Sequence, residues 1–355
     1  MTELFSLDLG NKQTKLLSSK NSYLLPSHFI DKDSDSKKSS LLSLNNKLDL
    51  QTFQMLGSDD KYTWGTDVDK IHINDEDAIV DTLQFGANRY GHEEFKLLVN
   101  FSLAKLAKDF EESKHEVLHV NVVTGLPTDD LSNRKFVEAV NKELKGEHSV
   151  KIDDDTMHIN VDDVILLPQP VGTLFNEINE NGLSRLENEL VTIVDLGGGT
   201  VLIDTMDHLQ YQKDTTKQAN SGAYTLFNAI IEDLDVDVKP TQYQIEDIIR
   251  NGSETGKYVF EVTPTEKIDI TDIVEKRIKK YTKNVIRSIR KNVTNLPYVA
   301  DIVFTGGGSS IVDKDLIKSE FPKAIFAKHG EMTNVIGFYQ YGINVTKRIE
   351  DNETT

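Results

Sequence analysis

The residues best placed to do chemistry lie in the segment VTIVDLGGGTVLIDT, residues 191–205. An apolar run ends at Asp195, three glycines follow, and Thr200 opens a second β-branched run. This order predicts a strand, a glycine turn and a second strand. Successive glycine amides can surround an anion, whereas the adjacent carboxylate would repel a bare one. The pattern therefore fits a phosphate that arrives with a divalent cation. An ordinary glycine-rich hairpin with an acidic turn is the alternative interpretation.

A similar pattern occurs near the beginning of the chain, in ELFSLDLGNKQTKLLS. An alternating run reaches Asp8, Gly10 and Asn11 form the predicted turn, and the next run contains Lys15. Asp8 and Asp195 thus hold matching places in two strand–turn–strand units that are 187 residues apart. The repetition predicts a duplicated fold with two similar lobes, whose hairpins would hold one ligand from both sides.

Two other segments place polar or glycine residues at the ends of predicted strands. Gln169 follows the strand within residues 161–178, and a proline on each side keeps the local chain extended and stiff. Gly306 to Gly308 separate a buried strand from a helix within residues 299–321, where the backbone can pass close to a ligand. Gln169 could equally be a simple turn residue.

These glycine segments do not match the common nucleotide-binding fingerprints. The chain contains neither G-x-x-x-x-G-K-[ST] nor G-x-G-x-x-G-x-V, which disfavours a P-loop enzyme and a protein kinase. A dinucleotide-binding turn leads into a helix, whereas DLGGGT leads into another strand.

Helices and strands around these segments must hold them in place. Residues 92–110, 221–234 and 239–252 are predicted helices, and Gly222 lies near the start of the second. A turn containing Gly337 is expected ahead of an apolar helix that returns to the first lobe.

The composition narrows the possible functions. The formal net charge of −18 disfavours direct DNA binding, so a DNA-related role should run through a partner protein. The chain has no cysteine, which excludes disulfides and thiol catalysis and fits a cytoplasmic protein. No apolar run is long enough to span a membrane.

The helix predicted from Thr271 carries the main positive feature of this acidic chain. From Glu275 onward, its apolar face is opposed by eight cations and only one acid, Glu275 itself. The cations are Lys276, Arg277, Lys279, Lys280, Lys283, Arg287, Arg290 and Lys291. The face is either a solvated helix surface or a contact site for an acidic neighbour.

Five motifs together resemble the actin-like ATPase superfamily. They are Asp8-Leu9-Gly10-Asn11 with Lys15, Gln169-Pro170-Val171-Gly172, Asp195-Leu196-Gly197-Gly198-Gly199-Thr200, Thr305-Gly306-Gly307-Gly308-Ser309 and Asn334-Val335-Ile336-Gly337. Trp64-Gly65 and Thr124-Gly125-Leu126-Pro127 look most similar to the ParM (StbA) type of plasmid-segregation actins from Gram-positive plasmids.

The resemblance implies an α/β, ribonuclease H-like duplicated fold of two lobes with a nucleotide in the cleft between them. Lobe I would comprise residues 1–168 and 338–355, with residues 31–63 as a small inserted subdomain. Lobe II would comprise residues 169–337. The implied function is a filament that segregates plasmid DNA while binding and hydrolysing ATP or GTP with Mg²⁺. The implied partners are further copies, stacked head to tail, and an adaptor protein on a centromere-like DNA site. Neither direct DNA binding nor membrane binding is expected.

The same resemblance assigns roles to individual residues. Asp8 and Asp195 would hold Mg²⁺, mostly through water, and Gln169 would orient the attacking water. The remaining cofactor-binding residues would be Gly10, Asn11, Lys15, Gly197, Gly198, Gly199, Thr200, Gly222, Glu246, Gly306, Gly307, Gly308 and Ser309.

Other members of the superfamily remain as alternatives. A sugar or acetate-type kinase would need a catalytic acid or arginine in a substrate pocket, and none is identified. A chaperone-type ATPase would need a substrate domain after the ATPase lobes. A cell-shape or division actin would be expected to carry an amphipathic membrane anchor.

Overall fold

The computed structural model describes residues 2–10, 12–32, 48–71, 78–82, 86–212, 216–263 and 265–353. Two compact units can be separated within the chain. Unit 1 comprises Met1–Asn176 and Asn334–Thr355, and unit 2 comprises Glu177–Thr333. No helix among the described residues is long and apolar enough to cross a lipid bilayer.

Ten strands in the described part of unit 1 form one mixed sheet. They are β1 (Glu3–Leu9), β2 (Gln13–Leu17), β3 (Ser22–Pro26), β4 (His28–Asp31), β5 (Gln51–Met55), β6 (Tyr62–Trp64), β7 (Ile79–Asp81), β8 (Leu118–Leu126), β9 (Gly146–Ile152) and β10 (Asp155–Pro168). Their order across the sheet is β3-β2-β1-β8-β10-β9-β5-β6-β4-β7. β8 is central and parallel to both β1 and β10, and accordingly seven of its nine residues are buried.

The segment expected to be a small inserted subdomain is part of this sheet. β5 pairs antiparallel with β9, and β6 links β5 to β4. Phe53 and Trp64 turn inward and pack edge to face in the core of unit 1. The described part of residues 31–63 therefore lengthens the main sheet, because its alternating apolar side chains continue the buried face. Residues 33–47 lie outside the described residues.

Five helices in the described part of the chain have most or all of their length in unit 1. They are α1 (Glu93–Ala107), α2 (Thr128–Leu131), α3 (Arg134–Leu144), α4 (Gln169–Asn181) and α9 (Thr333–Glu353). α9 is already helical at Thr333, so the turn expected before Gly337 is wrong and Gly337 lies within the helix. The unit boundaries fall inside α4 and at the start of α9. The lobe boundaries predicted from the sequence lie between residues 168 and 169 and between residues 337 and 338.

Close packing of α9 against α4 and β8 explains these boundaries. A Cβ built on Gly337 would lie 1.7 Å from the carbonyl oxygen of Gly172. Phe338 occupies the space that side chains at Gly125 and Gly172 would fill. The Thr173 hydroxyl donates to Asn334 Oδ1 over 2.7 Å. Three of the glycine motifs found in the sequence therefore meet at one contact within unit 1.

Gly337→Ala is expected to destabilise the protein by about 3 kcal/mol, because the new methyl group would collide with backbone and not with a movable side chain. Chemical denaturation measures the free energy of unfolding. Gly91→Ala is the matched control, since no atom lies within 4 Å of a Cβ at Gly91. Equal stability of the two variants would contradict the proposed packing.

Unit 2 is built around a smaller sheet. Its strands are β11 (Leu190–Leu196), β12 (Val201–Asp207), β13 (Gln210–Tyr211), β14 (Lys217–Ala219), β17 (Asp301–Thr305) and β18 (Ala324–Phe326). A separate hairpin consists of β15 (Val259–Thr263) and β16 (Glu266–Asp269). The helices are α5 (Ala223–Asp233), α6 (Gln242–Gly252), α7 (Thr271–Asn292) and α8 (Lys314–Glu320).

The two main sheets repeat one arrangement of five strands. In unit 1 the order is β3-β2-β1-β8-β10, and in unit 2 it is β13-β12-β11-β17-β18. β1 pairs antiparallel with β2 and parallel with β8, which is parallel to β10. In the same way, β11 pairs antiparallel with β12 and parallel with β17, which is parallel to β18. The duplication predicted from the two matching hairpins is confirmed, and the first strand of each repeat carries the aspartate.

Candidate functional site

The β1–β2 hairpin of unit 1 brings three predicted site residues together. Asp8 faces Lys15 directly across the two strands, and its Oδ2 lies 3.3 Å from the Lys15 ammonium. Gln169, at the start of α4, donates from Nε2 to Asp8 Oδ1 over 3.4 Å. Asp8 is 3% exposed, and a carboxylate so buried requires such partners. With its amide nitrogen directed at Asp8, Gln169 retains Oε1 as an acceptor for a water molecule.

The turn after β1 is fixed by side chains that sequence reasoning did not find. The buried Arg89 guanidinium donates to the Leu9 carbonyl, and the Ser27 hydroxyl donates to the Gly10 carbonyl over 2.7 Å. Since a trans peptide directs its N–H opposite to its C=O, the Gly10 N–H points away from Arg89. A Cβ on Gly10 would lie 2.7 Å from the Gln13 carbonyl oxygen, so glycine is required here. Asn11 lies outside the described residues.

Arg89 adds a cation beneath this turn. Burial lowers the pKa of its guanidinium, while the nearby carboxylates of Asp130 and Asp8 act in the opposite direction. Its guanidinium also packs on the rings of Tyr90 and Phe95. Arg89 lies in a short 3₁₀ helix, Gly86–Gly91, and the sequence around it carries no local signal of this role, since the contact with Leu9 spans 80 residues.

The glycine turn between β11 and β12 is held against the first turn of α5. The carbonyls of Gly197, Gly198 and Gly199 accept hydrogen bonds from the N–H groups of Ala223, Tyr224 and Gly222, respectively. All three carbonyls therefore point toward α5. Because these peptides are trans, the N–H groups of Gly198, Gly199 and Thr200 point to the opposite side. Three successive amides that point the same way form a nest for an anion.

The glycines at the contact between this hairpin and α5 differ in their surroundings. A Cβ on Gly222 would lie 2.4 Å from the Gly198 carbonyl oxygen, and a Cβ on Gly198 would lie 2.8 Å from the Tyr224 ring. Packing within the protein thus explains both. No atom lies within 4 Å of a Cβ built on Gly199, which is exposed. The open space at Gly199 lies beside the amides of the nest and is where a ligand could approach.

The loop after β17 contacts the acidic end of the same hairpin. Gly306 has a φ of 79°, and a Cβ there would lie 2.2 Å from Asp195 Oδ1. A Cβ on Gly308 would lie 2.8 Å from the Leu196 carbonyl oxygen. Ser309 is buried, and its hydroxyl donates to the Gly306 carbonyl over 2.7 Å, so its visible role is to shape the loop. The structure therefore places Asp195 and the Gly306–Gly308 loop side by side.

A charged cluster borders this loop. Arg250 donates from Nη2 to Glu246 Oε1 over 2.7 Å and also contacts Glu331. A Cβ on Gly307 would lie 2.7 Å from Glu331 Oε1, so the cluster lies directly against the loop. Burial lowers the pKa of Arg250, but the carboxylates of Glu331 and Glu246 outweigh it and raise that pKa overall. The sequence analysis predicted Glu246 as a site residue but not Arg250. The spacing of four residues between them on one helix could have indicated the ion pair.

The carboxylates and backbone amides of this site are better suited to a magnesium ion that is bound together with a phosphate than to a metal ion held by protein ligands alone. Among the described residues, no group of three or more His, Cys, Asp and Glu could hold a metal ion. Each unit instead offers one aspartate at the end of its first strand, next to a glycine turn. Mg²⁺ keeps several waters and uses one or two carboxylates together with phosphate oxygens, which suits this donor set.

Comparisons with known protein families match both parts of the chain. Residues 6–172 match the N-terminal domain of actin-like proteins, and residues 190–333 match the Alp7A C-terminal domain. No curated protein sequence matches the chain.

Solved structures show the same fold. The apo psk41 ParM protein superposes with a TM-score of 0.77 at 23% identity, covering 98% of this chain and 99% of that one. An archaeal actin homolog, Ta0583, in complex with ADP has a TM-score of 0.71 at 14% identity, with 97% and 100% covered. A subunit of a 15-stranded ParM filament from Clostridium botulinum has a TM-score of 0.71 at 20% identity, with 97% and 99% covered. The fold is therefore actin-like, as the sequence motifs predicted.

Proposed function

From the premise that this chain belongs to the actin-like proteins, related to ParM and Alp7A, we propose that it forms nucleotide-dependent filaments that segregate plasmid DNA. It would bind ATP or GTP with Mg²⁺ and hydrolyse it. The observation that carries the proposal is the nest of three amides beside Asp195, which is matched in unit 1 by the Asp8–Lys15–Gln169 group.

The phosphates would be held by backbone and one cation. The N–H groups of Gly198, Gly199 and Thr200 donate to phosphate oxygens, and Lys15 offsets negative charge as a point cation. Asp8 and Asp195 would orient the waters of the ion. Mg²⁺, when bound, neutralises charge on the phosphate oxygens. The adenosine or guanosine would lie along the Gly306–Gly308 loop, bordered by Glu246, Arg250 and Glu331. The N-terminal position of Gly222 keeps the first turn of α5 against the nest.

Hydrolysis would depend on Gln169. Phosphoryl transfer needs positioning and charge stabilisation more than a strong base, so an amide is sufficient to orient the attacking water. Asp8 would fix the Gln169 side chain by accepting a hydrogen bond from Nε2, which leaves Oε1 to accept a hydrogen bond from the water.

Gln169→Ala is therefore expected to slow phosphate release by about 10²-fold, while nucleotide affinity changes little. The measurement is single-turnover phosphate release alongside nucleotide binding. Asn179→Ala, at an exposed position later in the same helix, is the matched control and should release phosphate at the wild-type rate. Phosphate release by Gln169→Ala at the wild-type rate would refute the assigned role.

Assembly would follow from the ligand. Nucleotide state would determine which surfaces the chain offers to the next copy. A head-to-tail contact of this kind does not close and grows into a filament. With a net charge of −18, attachment to DNA would require an adaptor protein bound to a centromere-like site.

Titration calorimetry with ATP, GTP and ADP, with and without Mg²⁺, tests the binding part of this proposal. We expect a triphosphate to bind about tenfold or more tightly with Mg²⁺ than without it. Absence of binding by every nucleotide would overturn the proposed function.

A further inference from the structure

The exposed face of α7 carries a continuous row of cations. Lys276, Lys280, Lys283, Arg287 and Lys291 are all exposed, and each follows the previous one by three or four residues. At this spacing they lie on one face of the helix, along a length of about 22 Å. The opposite face is buried in the core of unit 2 through Val274, Tyr281, Val285 and Ile289. We call the five exposed cations the basic row.

The stability of α7 does not explain the basic row. Within the described part of the chain, the four lysines of the row form no ion pair, and Arg287 contacts only the amide oxygen of Asn284. The neighbouring Arg277 and Arg290, in contrast, pair with Asp233 and Glu320. Like charges four residues apart on a helix destabilise it by about 0.2–0.5 kcal/mol per pair. The like-charge pairs along the row therefore oppose the helix that carries them.

An acidic segment lies beside the basic row. Glu232, Asp235 and Asp237, at the end of α5 and just after it, are exposed. The ion pair between Arg277 and Asp233 ties this segment to α7. The hydrogen bond from Arg277, with the added charges of Lys276 and Lys280, holds the pKa of Asp233 below its usual range. We call Glu232, Asp235 and Asp237 the acidic segment.

We propose that the basic row and the acidic segment together form a surface that binds a second copy of this chain. Two such patches side by side are self-complementary, since a two-fold rotation brings the basic row of each copy onto the acidic segment of the other. The inference deepens the proposed function by adding a lateral contact between copies. It rests on the proposed function, because that contact would join copies within or between filaments. The contact would offset the repulsion among the cations of each basic row, and it would bring opposite charges together between two chains that are each strongly acidic.

The arrangement favours a protein partner over a nucleic acid. A polyanion along the basic row would meet the acidic segment at one end and the net charge of −18 around it. A second copy presents both charge signs in the matching order. Binding of duplex DNA by the basic row is the competing outcome that the experiment must separate.

A charge-swap experiment tests the contact. Variant one carries Lys280→Glu and Lys283→Glu, and variant two carries Asp235→Lys and Asp237→Lys. The chain has no cysteine, so one added cysteine per variant, Lys276→Cys in variant one and Glu232→Cys in variant two, provides a selective cross-link. Lys135→Glu with Lys142→Glu, both exposed on α3, is the matched control for variant one.

We expect each swapped variant alone to self-associate on the order of tenfold more weakly than the wild type in sedimentation velocity, and the control variant to behave as the wild type. Mixing the two variants should restore association and yield the cross-link. Association of the wild type should weaken as salt is raised, because the contact is electrostatic.

Two results would overturn the proposal. The first is a swapped variant that associates as the wild type does, or a mixture that neither associates nor cross-links. The second is wild-type protein that binds duplex DNA through the basic row, with that binding lost in variant one and self-association unchanged. These assays use nucleotide-free protein, so their failure is distinguishable from failure to bind or hydrolyse nucleotide.

Discussion

Asp195→Ala is expected to abolish nucleotide-dependent polymerisation while leaving the fold intact. The carboxylate lies near the end of β11, beside the amide nest and against Gly306, so it is placed to hold the waters of Mg²⁺ next to the bound phosphate. Without it, phosphate charge at the nest would be less well neutralised. Asp195 is partly exposed at the end of its strand, so the free energy of unfolding should change by less than about 1 kcal/mol. Pelleting with ATP and Mg²⁺ measures the assembly.

Asp207→Ala is the matched control for this substitution. Asp207 is at the other end of the same hairpin, is half exposed and contacts only its neighbour His208 among the interactions described for it. The control should polymerise as the wild type does. Sedimentable filaments formed by Asp195→Ala in the presence of ATP would refute the assignment of this site.

The second large effect is expected from two glycines beside the amide nest, one before α5 and one in the turn between β11 and β12. Gly222→Ala should cost about 3 kcal/mol of folding free energy, because its Cβ would lie 2.4–2.6 Å from backbone atoms of Gly197, Gly198 and Gly199. The backbone at Gly222 is extended, with a φ of −67°, so the cost is a steric collision and not a strained conformation. The collision would also displace the nest, and nucleotide affinity should fall with stability.

Gly199→Ala separates the two roles. No atom lies within 4 Å of its Cβ, so stability should stay within about 0.5 kcal/mol of the wild type. A methyl group beside the amides of the nest should nevertheless lower nucleotide affinity by about tenfold, because it would occupy space needed by the phosphate. Thermal unfolding with calorimetric titration gives both quantities. Full affinity in Gly199→Ala would show that the nest does not contact the ligand.

The sequence was sufficient to predict the two hairpins and their duplication. Asp8 and Asp195 stand at the same point of an alternating run before a glycine turn, and local periodicity alone determines that pattern. The position of Gln169 at the junction of β10 and α4 also followed from local signals, since Pro168 and Pro170 flank it. These features depend on residues close together in the chain.

The remaining parts of the site depend on contacts between distant residues. Arg89 reaches Leu9 across 80 positions, and Arg250 reaches Glu331 across 81. No pattern near either arginine indicates its partner. The glycines likewise reveal their reasons only in three dimensions. Gly337 is required by the carbonyl oxygen of Gly172, which lies 165 positions earlier in the chain.

Residues 31–63 illustrate the same dependence on distant residues. A polar, serine-rich composition suggested a separate insertion, but the described strand β5 pairs with β9, whose paired residues lie almost 100 positions further along the chain. Composition describes a segment by itself, whereas membership of a sheet depends on a partner strand. The described ends of the segment are strands with inward-facing aromatic side chains.

The measurement that tests the central claim most directly is high-speed sedimentation with light scattering, in ATP, GTP or ADP with Mg²⁺ and in ATP with a chelator. We expect light scattering to rise and protein to pellet with a triphosphate and Mg²⁺, and both to be lost with ADP or when the ion is removed. Filaments should be visible by electron microscopy in the pelleted sample. Protein that stays in the supernatant under every condition, or that pellets equally without nucleotide, would contradict a nucleotide-driven filament.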